Sequence, residues 1–472
     1  MICTIKSGIC STFRLSLPLI ILVFILAGEA PAVSVVKCDL VKDYNIDWKD
    51  LEVIAQHWLN TCGNCSGADL DNSGTVNLVD FALFAPHWKA DPDLVYLWTF
   101  VEQRLDNSIN TFINDSSYWD ANYPRSTYPQ NGEWEPKAKG HWASGYWPGA
   151  LWYLYQRTSD QKWKNWANSW TVPLVNEPNR TGDHEAGFIV QRSYGLGYRV
   201  TQNPAYKPKI LQACTTLANY RYNSTVGCIR SWYNDPSPFT VIIDGMMVLE
   251  MMFWGSKNGG SSSWYNMAVS HANKTMTNNV RQNGSVWQAV NYNTSNGSVI
   301  LKWNKQGATN NTTWSRGQAW AIAGFTIAYR ETLDTNYLNT AKKCANYFID
   351  HLPADYVPYW DFNAPDFPPG DPNSHLHKDS SAAAIAASGL LELSTFVSGT
   401  DKVKFQTAAL NILDSLTSPS YLADGTNSMG ILLHGTGNAK NTDDNAGEVD
   451  RSLIYGDHFF IEALMRYEDM FY

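Results

Sequence analysis

The residue best suited to acid–base chemistry is Asp244, because it lies in an otherwise apolar stretch from Thr240 to Trp254, TVIIDGMMVLEMMFW. Burying an unpaired carboxylate is costly, so such a group pairs with a cation, coordinates a metal or takes up a proton. A protonated carboxyl with a raised pKa is the form that a general acid needs near neutral pH. The alternative role is a helix cap, in which the carboxylate accepts hydrogen bonds from the first turn. The stretch by itself predicts a buried helix and leaves both roles open.

A second group of oxygen-bearing residues has the spacing of a calcium-binding loop. In DLDNSGTVNLVDFALFAPHW, positions 1, 3, 5, 7, 9 and 12 are Asp69, Asp71, Ser73, Thr75 (through its carbonyl), Asn77 and Asp80. Gly74 stands at position 6, where a calcium loop turns sharply. An earlier segment from Asp39, DLVKDYNIDWKDLEVIAQHW, repeats the pattern with Val41 and Tyr44 at two of the key positions. The duplication predicts a small helical calcium-binding domain over residues 33–90.

Helical segments dominate the remainder of the chain, from residue 95 to residue 472. Apolar residues recur with the helical period near 95–113, 146–157, 186–199, 206–222, 241–256, 263–279, 316–332, 336–351, 379–397, 402–416 and 452–470. The exception is a predicted hairpin, SVWQAVNYN followed by SVILKWN, with a turn at Asn296-Gly297. About twelve successive helices predict an all-α domain of paired helices closed into a ring. Loops of such a ring gather at one end, where a site would lie.

The many aromatic residues are compatible with a carbohydrate-handling protein and equally with an aromatic-rich helical core. The chain has 20 Trp and 25 Tyr residues, and aromatic faces stack on the C–H faces of sugar rings as well as packing in cores. Its formal net charge of −9 argues against nucleic-acid binding. The composition therefore directs attention to sugars rather than to nucleic acids.

The N-terminus has the pattern of an export signal over residues 1–32. Lys6 and Arg14 precede the apolar run LPLIILVFILAG, and the small residues of GEAPA follow it. No later stretch is long and apolar enough to span a membrane. We therefore expect a secreted, periplasmic or cell-surface protein, in which Cys38 forms a disulfide with Cys62 or Cys65.

Eight motifs occur in the order found in glycoside hydrolase family 88, the unsaturated glucuronyl hydrolases. They are HWASGYWPGALWYLY, GDHEAGFIVQRSYGLGYRVT, CIRSW, VIIDGMMVLEMMFW, WSRGQAWAIAGF, VPYWDFNAP, KDSSAAAIAASGLLEL and GEVDRSLIYGDHFFIEALMRY. The chain resembles this family over about residues 95–472. The resemblance implies an (α/α)6 barrel that removes a 4,5-unsaturated uronic acid from the non-reducing end of lyase-generated oligosaccharides, with no cofactor for catalysis.

The resemblance also implies the catalytic carboxylates. Asp244 matches the acid/base position, which favours the catalytic role over the helix cap. The second carboxylate falls on Glu185, where the family usually has aspartate, and Asp183 is an alternative for it. His184 beside it is expected to bind substrate.

Other family positions imply substrate-binding residues. Gln288 replaces a histidine that contacts substrate in many members, and Gln306 matches the family's QG position. Arg316 either pairs with a structural carboxylate or supports the site. Three tryptophans are candidate stacking platforms, namely Trp142, Trp147 and Trp320. Asp379 and Ser380 are expected to cap a helix.

The duplicated calcium loop resembles a type I dockerin, a module that docks enzymes onto cohesin-bearing scaffolds. This implies a cohesin-type partner and bound calcium. For the larger domain, the alternatives are an unsaturated rhamnogalacturonyl hydrolase and a carbohydrate-binding protein with weakened catalysis. RGQAW weighs against the first, and the intact surroundings of Asp244 weigh against the second.

Overall fold

The computed structural model describes two compact units. The described residues are 40–41, 48–61, 65–71, 73–84, 92–114, 122–232, 238–364, 376–440 and 447–472. One unit comprises the chain up to Phe100 with Arg157–Asp160, and the other comprises Val101–Gln156 and Gln161–Tyr472. The predicted signal sequence, Asp39 and the start of the first calcium loop, Cys38 and Cys62 lie outside the described residues.

The small unit contains helices α1 (Trp48–Gln56) and α2 (Leu78–Phe84) and the short 3₁₀ helix Cys65–Gly67. Its core includes Ile54, Leu70, Val76 and Phe84, which are all buried. Cys65 is disulfide-bonded. Because the other described cysteines, Cys214, Cys228 and Cys344, are free, the partner of Cys65 lies outside the described residues. This agrees with a disulfide that involves Cys65.

The larger unit is built from helices in sequential pairs. These are α3 (Pro92–Asn114), which belongs to this unit from Val101 onward, α4 (Tyr146–Thr158), which belongs to it up to Gln156, α5 (Gln161–Thr171), α6 (Ala186–Val190), α7 (Leu196–Thr201), α8 (Lys207–Thr216), α9 (Leu249–Lys257), α10 (Ser263–Asn278), α11 (Ser315–Thr332), α12 (Thr335–Asp350), α13 (Ser380–Ser394), α14 (Gly399–Thr417) and α15 (Ile454–Phe471). A π-helical turn, Gln191–Gly195, joins α6 to α7. The sequence did not predict α5, whose many polar residues obscure its apolar face.

Burial separates inner from outer helices. Residues 315–328 of α11 and 380–391 of α13 are buried without interruption, so neither segment has a solvent-facing side. In α12, by contrast, Tyr337, Ala341, Cys344 and Phe348 form a single buried stripe. The inner helical segments are therefore enclosed by outer helices that shield them from water.

The inner segments close into a ring through contacts that involve glycine. Among the described residues, the pairs in contact are Gly145 with Ile189, Gly187 with Val248, Gly324 with Met246, Gly389 with Ala323, Gly456 with Ser381, and Gly149 with His458. The last pair joins α15 back to α4, so the ring is closed. Small residues allow helix backbones to approach closely, which explains glycine at these points. The predicted ring of paired helices is thus confirmed.

Ion pairs of Arg330 and Arg466 join four of the inner helices. Arg330 of α11 donates to Glu250 of α9 at 2.7 Å and to Glu392 of α13 at 2.6 Å. Arg466 of α15 pairs with Glu392 at 2.7 Å and with Glu462 at 3.8 Å. These shared partners link the C-terminal parts of α11 and α13 to the first turn of α9 and to the second half of α15.

Short strands accompany the helices, so the larger unit is helix-rich rather than purely helical. Strands β1 (Asn122–Thr127) and β2 (Trp134–Ala138) pair, as do β3 (Tyr222–Asn223) and β4 (Cys228–Ile229). A third sheet has the order β5 (Phe239–Ile242), β6 (Ala289–Tyr292), β7 (Val299–Trp303). The hairpin predicted from the sequence is β6–β7, and Gly297 in its turn has a positive φ of 71°.

The helix predicted from residue 241 is wrong at its start. Residues 239–242 form β5, which pairs with β6 through Val241 and Val290. A 3₁₀ helix, Ile243–Val248, follows, and α9 begins only at Leu249. Apolar β-branched residues such as Val241 and Ile242 fit a buried strand as well as a helix, and here the neighbouring strand decides.

We expect Gly145→Ala to destabilise the larger unit. A Cβ on Gly145 would lie 2.4 Å from the carbonyl oxygen of Ile189, and backbone cannot move aside as a flexible side chain does. The free energy of unfolding should fall by about 1–3 kcal/mol in urea titrations. Gly182→Ala is the control, because a Cβ on Gly182 meets nothing within 4 Å. Equal stability of the two variants would contradict this view of the ring.

Candidate active site

Asp244 lies at the join between strand β5 and the 3₁₀ helix that leads into α9. Its Oδ2 atom is buried and has no hydrogen-bond partner among the described residues. Burial raises the pKa of Asp244 to about 7, although its own backbone and Arg316 act in the opposite direction. The carboxyl therefore retains its proton well above the pH at which an ordinary aspartate loses it.

The helix-cap alternative does not describe Asp244. The residue that precedes the 3₁₀ helix is Ile242, and the helix has no side-chain cap. The hydrogen bond that acts on the Asp244 carboxyl comes from its own backbone rather than from later N–H groups of the turn. A carboxyl that is buried without capping contacts is available for chemistry.

A cavity of about 100 Å³ surrounds this carboxyl. Residues expected from the sequence that line it are Trp142, His184, Glu185, Asp244, Gln306, Arg316 and Trp320. Motifs separated by up to 178 positions along the chain thus meet at one place. Two expected residues, Trp147 and Gln288, do not line the cavity.

The cavity lies at the N-terminal ends of the inner helices. Glu185 immediately precedes α6, Arg316 is the second residue of α11, and Tyr455 is the second residue of α15. Trp142 begins the 3₁₀ helix before α4. Helix N-termini carry partial positive charge, so their convergence favours an anionic ligand.

Glu185, rather than Asp183, reaches the cavity. Asp183 accepts hydrogen bonds from Arg180 Nε at 2.7 and 2.9 Å and from the Glu185 N–H at 2.9 Å, so its carboxylate is already occupied. Burial and the charge of Asp183 raise the pKa of Glu185 well above its ordinary value, and Arg180 offsets this rise only in part. The alternative assignment of the second carboxylate to Asp183 is not supported by this arrangement.

His184 presents a buried imidazole to the cavity. The residue is 1% exposed, and neither ring nitrogen has a hydrogen-bond partner among the described residues. Burial lowers its pKa to about 4, so the ring is neutral near pH 7. A neutral imidazole offers one donor and one acceptor, which suits the hydroxyl groups of a sugar.

Gln288 supports the cavity from behind. Its Nε2 donates to Gln306 Oε1 at 2.7 Å, and its Oε1 accepts from the N–H groups of Lys305 and Gln306, each at 2.8 Å. Gln306 in turn donates to the Gly437 carbonyl at 3.0 Å. Gln288 therefore positions Gln306 instead of lining the cavity itself.

Arg316 is fixed by a structural ion pair, one of the two roles expected for it. Its Nη1 donates to Asp379 Oδ2 at 2.6 Å and to the Thr436 carbonyl at 2.6 Å. Its Nη2 donates to the carbonyl of Gly437. Asp379 also accepts from the N–H groups of Ser381 and Ala382, which confirms it as the predicted cap of α13, whereas Ser380 is the first residue of the helix.

The three candidate tryptophans differ in position. Trp142 is half-buried at the cavity with its ring 4.9 Å from that of Tyr455, and the buried Trp320 contributes to the cavity wall. Trp147 is instead fully buried in the core, edge-on to Phe112 at 5.4 Å and to Trp170 at 6.1 Å. The expected stacking role for Trp147 therefore does not fit its position.

Sequence reasoning missed several residues of the cavity, namely Arg125, Trp232, Trp314, Lys305 and Tyr455. The two tryptophans and Tyr455 lie inside motifs that had been recognised, and Lys305 adjoins Gln306. Arg125 is different because it lies on β1, where no motif identifies it; its Nη2 pairs with Glu448 at 2.6 Å. Only folding brings Arg125 to the site.

The second calcium loop has the geometry of a cation site. Carboxylate oxygens of Asp69, Asp71 and Asp80 lie within 4.8 Å of one another. Gly74 has a positive φ of 87°, and its N–H donates to Asp69 at 2.8 Å. Hard oxygen donors around a sharp glycine turn are what calcium requires, so these residues fit the ion.

The duplication is visible in the described part of the first loop. Asp50 Oδ1 accepts from the N–H groups of Leu40 at 2.6 Å and Val41 at 3.1 Å. Asp80 Oδ1 makes the equivalent contacts with Leu70 at 2.7 Å and Asp71 at 3.3 Å. The last residue of each loop thus fixes the first turn in the same way.

Comparison with known proteins places the larger unit among sugar hydrolases. The model of Glycosyl Hydrolase Family 88 matches residues 114–465. The unsaturated glucuronyl hydrolase of Formosa agariphila is 39% identical over 81% of this chain and 92% of its own length. The unsaturated chondroitin disaccharide hydrolase of Streptococcus agalactiae is 27% identical over 78% of this chain and 91% of its own length.

A solved structure shares the fold. The crystal structure of an unsaturated glucuronyl hydrolase specific for heparin has a TM-score of 0.70 and 33% identity, covering 79% of this chain and 98% of that one. Structures of these hydrolases are α/α barrels, in agreement with the ring described above. The matches support the glucuronyl hydrolase prediction rather than the rhamnogalacturonyl alternative.

We expect Asp244→Asn to stabilise the protein at pH 8. The unfolded carboxyl ionises near 3.8 and the folded one near 7, so folding of the wild type loses stability as pH rises between these values. Above pH 7 the variant should be more stable by roughly 1–3 kcal/mol, and near pH 4 the difference should vanish. Thermal melts across pH 4–8 measure this difference.

Asp379→Asn serves as the control for these melts. It removes the buried partner of Arg316, so it should lower stability at pH 8. A variant Asp244→Asn that melts below the wild type at pH 8 would contradict the account of an unpaired buried carboxyl.

Proposed function

Since the chain belongs to glycoside hydrolase family 88 and acts as a glycoside hydrolase of the unsaturated glucuronyl type, we propose that Asp244 is its general acid and base. The substrate is a 4,5-unsaturated uronic acid at the non-reducing end of an oligosaccharide. The reaction is hydration of the C4=C5 double bond rather than displacement at the anomeric carbon. The two observations that support Asp244 are its unpartnered Oδ2 and its raised pKa at the cavity.

In the proposed reaction, Asp244 first donates a proton and then accepts one. Protonated Asp244 gives its proton to C4, and the electrons of the double bond form the C4–H bond. Positive charge then develops on C5 and the ring oxygen, and ionised Asp244 accepts a proton from the water that adds to C5. The resulting hemiketal opens to a ketone at C5 and leaves a hemiacetal at C1, which breaks down to an aldehyde and releases the next sugar as an alcohol. Asp244 ends in the protonated form in which it began.

Neighbouring residues supply binding and orientation. The neutral ring of His184 has both nitrogens available for sugar hydroxyls, and Glu185 offers a carboxyl group for the same purpose. The uronate itself is an anion, so it is favoured by Arg125, Lys305 and the helix N-termini. Trp142, half-buried at the cavity, provides an aromatic surface for the sugar ring.

The small unit is proposed to be a dockerin-like calcium module. The carboxylates of Asp69, Asp71 and Asp80 would hold the ion with Ser73, Asn77 and the Thr75 carbonyl. The matched contacts of Asp50 and Asp80 support an origin by duplication. Such a module would attach an exported enzyme to a cohesin-type scaffold. Among the residues that the structure describes, no helix has the length and apolar content needed to cross a bilayer.

We expect the wild type to consume unsaturated disaccharides and Asp244→Asn to lose this activity. Loss of the ultraviolet absorbance of the conjugated alkene would be followed on products of heparin and chondroitin lyases, both sulfated and unsulfated. Turnover should fall by about 10²–10⁴-fold in the variant, because the proton donor is removed. In the wild type, activity should decline as pH rises through about 7, where Asp244 loses its proton.

Binding measurements on Asp244→Asn separate chemistry from recognition. The variant should retain affinity for the disaccharide that the wild type consumes, since the cavity wall is otherwise unchanged. Normal turnover by Asp244→Asn would show that another group is the acid.

Calcium should stabilise the small unit. Saturation at 100 times the dissociation constant contributes about 2.7 kcal/mol, so a chelator should lower the melting temperature of that unit. Asp71→Asn should abolish the response, because it removes one of the clustered carboxylates. Glu52→Gln changes an exposed acid in the same unit and should leave the response intact. Identical melts with and without chelator would refute the calcium assignment.

A further inference from the structure

Arg180 lies behind Glu185 and joins it to two other carboxylates. Its Nη2 is 3.7 Å from Glu185 Oε2 and 2.6 Å from Asp183 Oδ2, and its Nη1 is 3.6 Å from Glu177 Oε2. The same Nη1 donates to the carbonyl of Gly140. Arg180 does not line the cavity, whereas Glu185 does. The guanidinium therefore acts on Glu185 from the protein side.

The contacts of Arg180 fix both the backbone and the side chain of Glu185. Asp183 is held by Arg180 through both carboxylate oxygens, and it accepts the N–H of Glu185 at 2.9 Å. Bidentate arginine–carboxylate pairs are geometrically specific, so this pair fixes the position of the Glu185 backbone, from which its side chain extends. The extra methylene of glutamate then lets its carboxylate line the cavity while remaining 3.7 Å from the same guanidinium.

The charge on Glu185 depends on a balance of opposing groups. Burial and Asp183 favour its protonated form, and Arg180 is the first of the groups that favour the ionised form. Trp232 and Lys305 act in the same direction as Arg180, through a hydrogen bond and through charge. Both line the cavity, where a substrate competes for them, but Arg180 is out of reach of the substrate.

We propose that Arg180 is a positioning residue for this hydrolase, which fixes Glu185 at the cavity wall and opposes protonation of its carboxyl group. Through Gly140 it also connects this carboxylate to the turn that begins at Trp142. The inference rests on the proposed function insofar as Glu185 serves the reaction. Arg180 itself touches no reacting atom.

The pH dependence of kcat/KM tests this role. Arg180→Gln should leave Glu185 protonated at higher pH, so the acid limb should move up by about one unit and activity at pH 6 should fall about tenfold. Arg180→Lys keeps the positive charge and should restore most of the wild-type profile. Glu177→Gln removes a different partner of Arg180 and should leave the acid limb where it is. Equal shifts in Arg180→Gln and Glu177→Gln would overturn the proposal.

Titration of Glu185 gives a readout that is independent of turnover. In protein labelled with ¹³C at the glutamate carboxyl groups, the Glu185 signal is assigned by its absence in Glu185→Gln. Its pKa should be about one unit higher in Arg180→Gln than in the wild type, and close to the wild type in Arg180→Lys. An unchanged pKa would overturn the role of Arg180. Failure of the wild type to hydrate any unsaturated disaccharide would instead remove the proposed function, and the titration would still decide the electrostatic role.

Discussion

The site depends on the close packing of the inner helices into a ring. Helices such as α11 and α13 have no solvent-facing side over most of their length, so they are stable only when enclosed by neighbours. Glycine at each described contact lets their backbones approach, and the ring that results directs the helix N-termini to one place. Ion pairs of Arg330 join α11 to α13 and to the first turn of α9. The packing of the ring thus places the cavity at the N-terminal ends of the inner helices.

Two electrostatic effects on Asp244 compete at the cavity. The helix N-termini and Arg316 favour the ionised form of Asp244, whereas burial favours the protonated form. Burial prevails because Oδ2 finds no donor and because Arg316 is already committed to Asp379 and to backbone carbonyls. Neutralising Arg316 with Asp379 is therefore part of how the site keeps an acid protonated. A cavity can in this way attract an anion and still retain a proton donor.

Sequence periodicity predicted those features that local residues determine. It identified the inner helices α11 and α13, the hairpin β6–β7 and the capping role of Asp379. Sequence periodicity gave wrong predictions where contacts with residues distant in the chain determine the structure. The apolar residues before Asp244 became a strand because β6 lies beside them, and Trp147 faced the core although the nearby Trp142 faced the cavity.

Arg125 shows the same limit from the other direction. An arginine at this position suggests no function by itself. It lines the cavity because β1 lies beside the site, where Arg125 pairs with Glu448. Motifs therefore located the chemistry more reliably than the positions of its supporting residues.

The glutamine at position 288 illustrates how a departure from a family pattern can be absorbed by the fold. Gln288 Oε1 accepts two backbone N–H groups while its Nε2 donates to Gln306. A neutral histidine has one acceptor nitrogen and one donor, so it could not make all three contacts. Glutamine at this position therefore fixes the loop of Lys305 and Gln306. Gln306 and Lys305 line this wall of the cavity, and Gln288 holds them in place from behind.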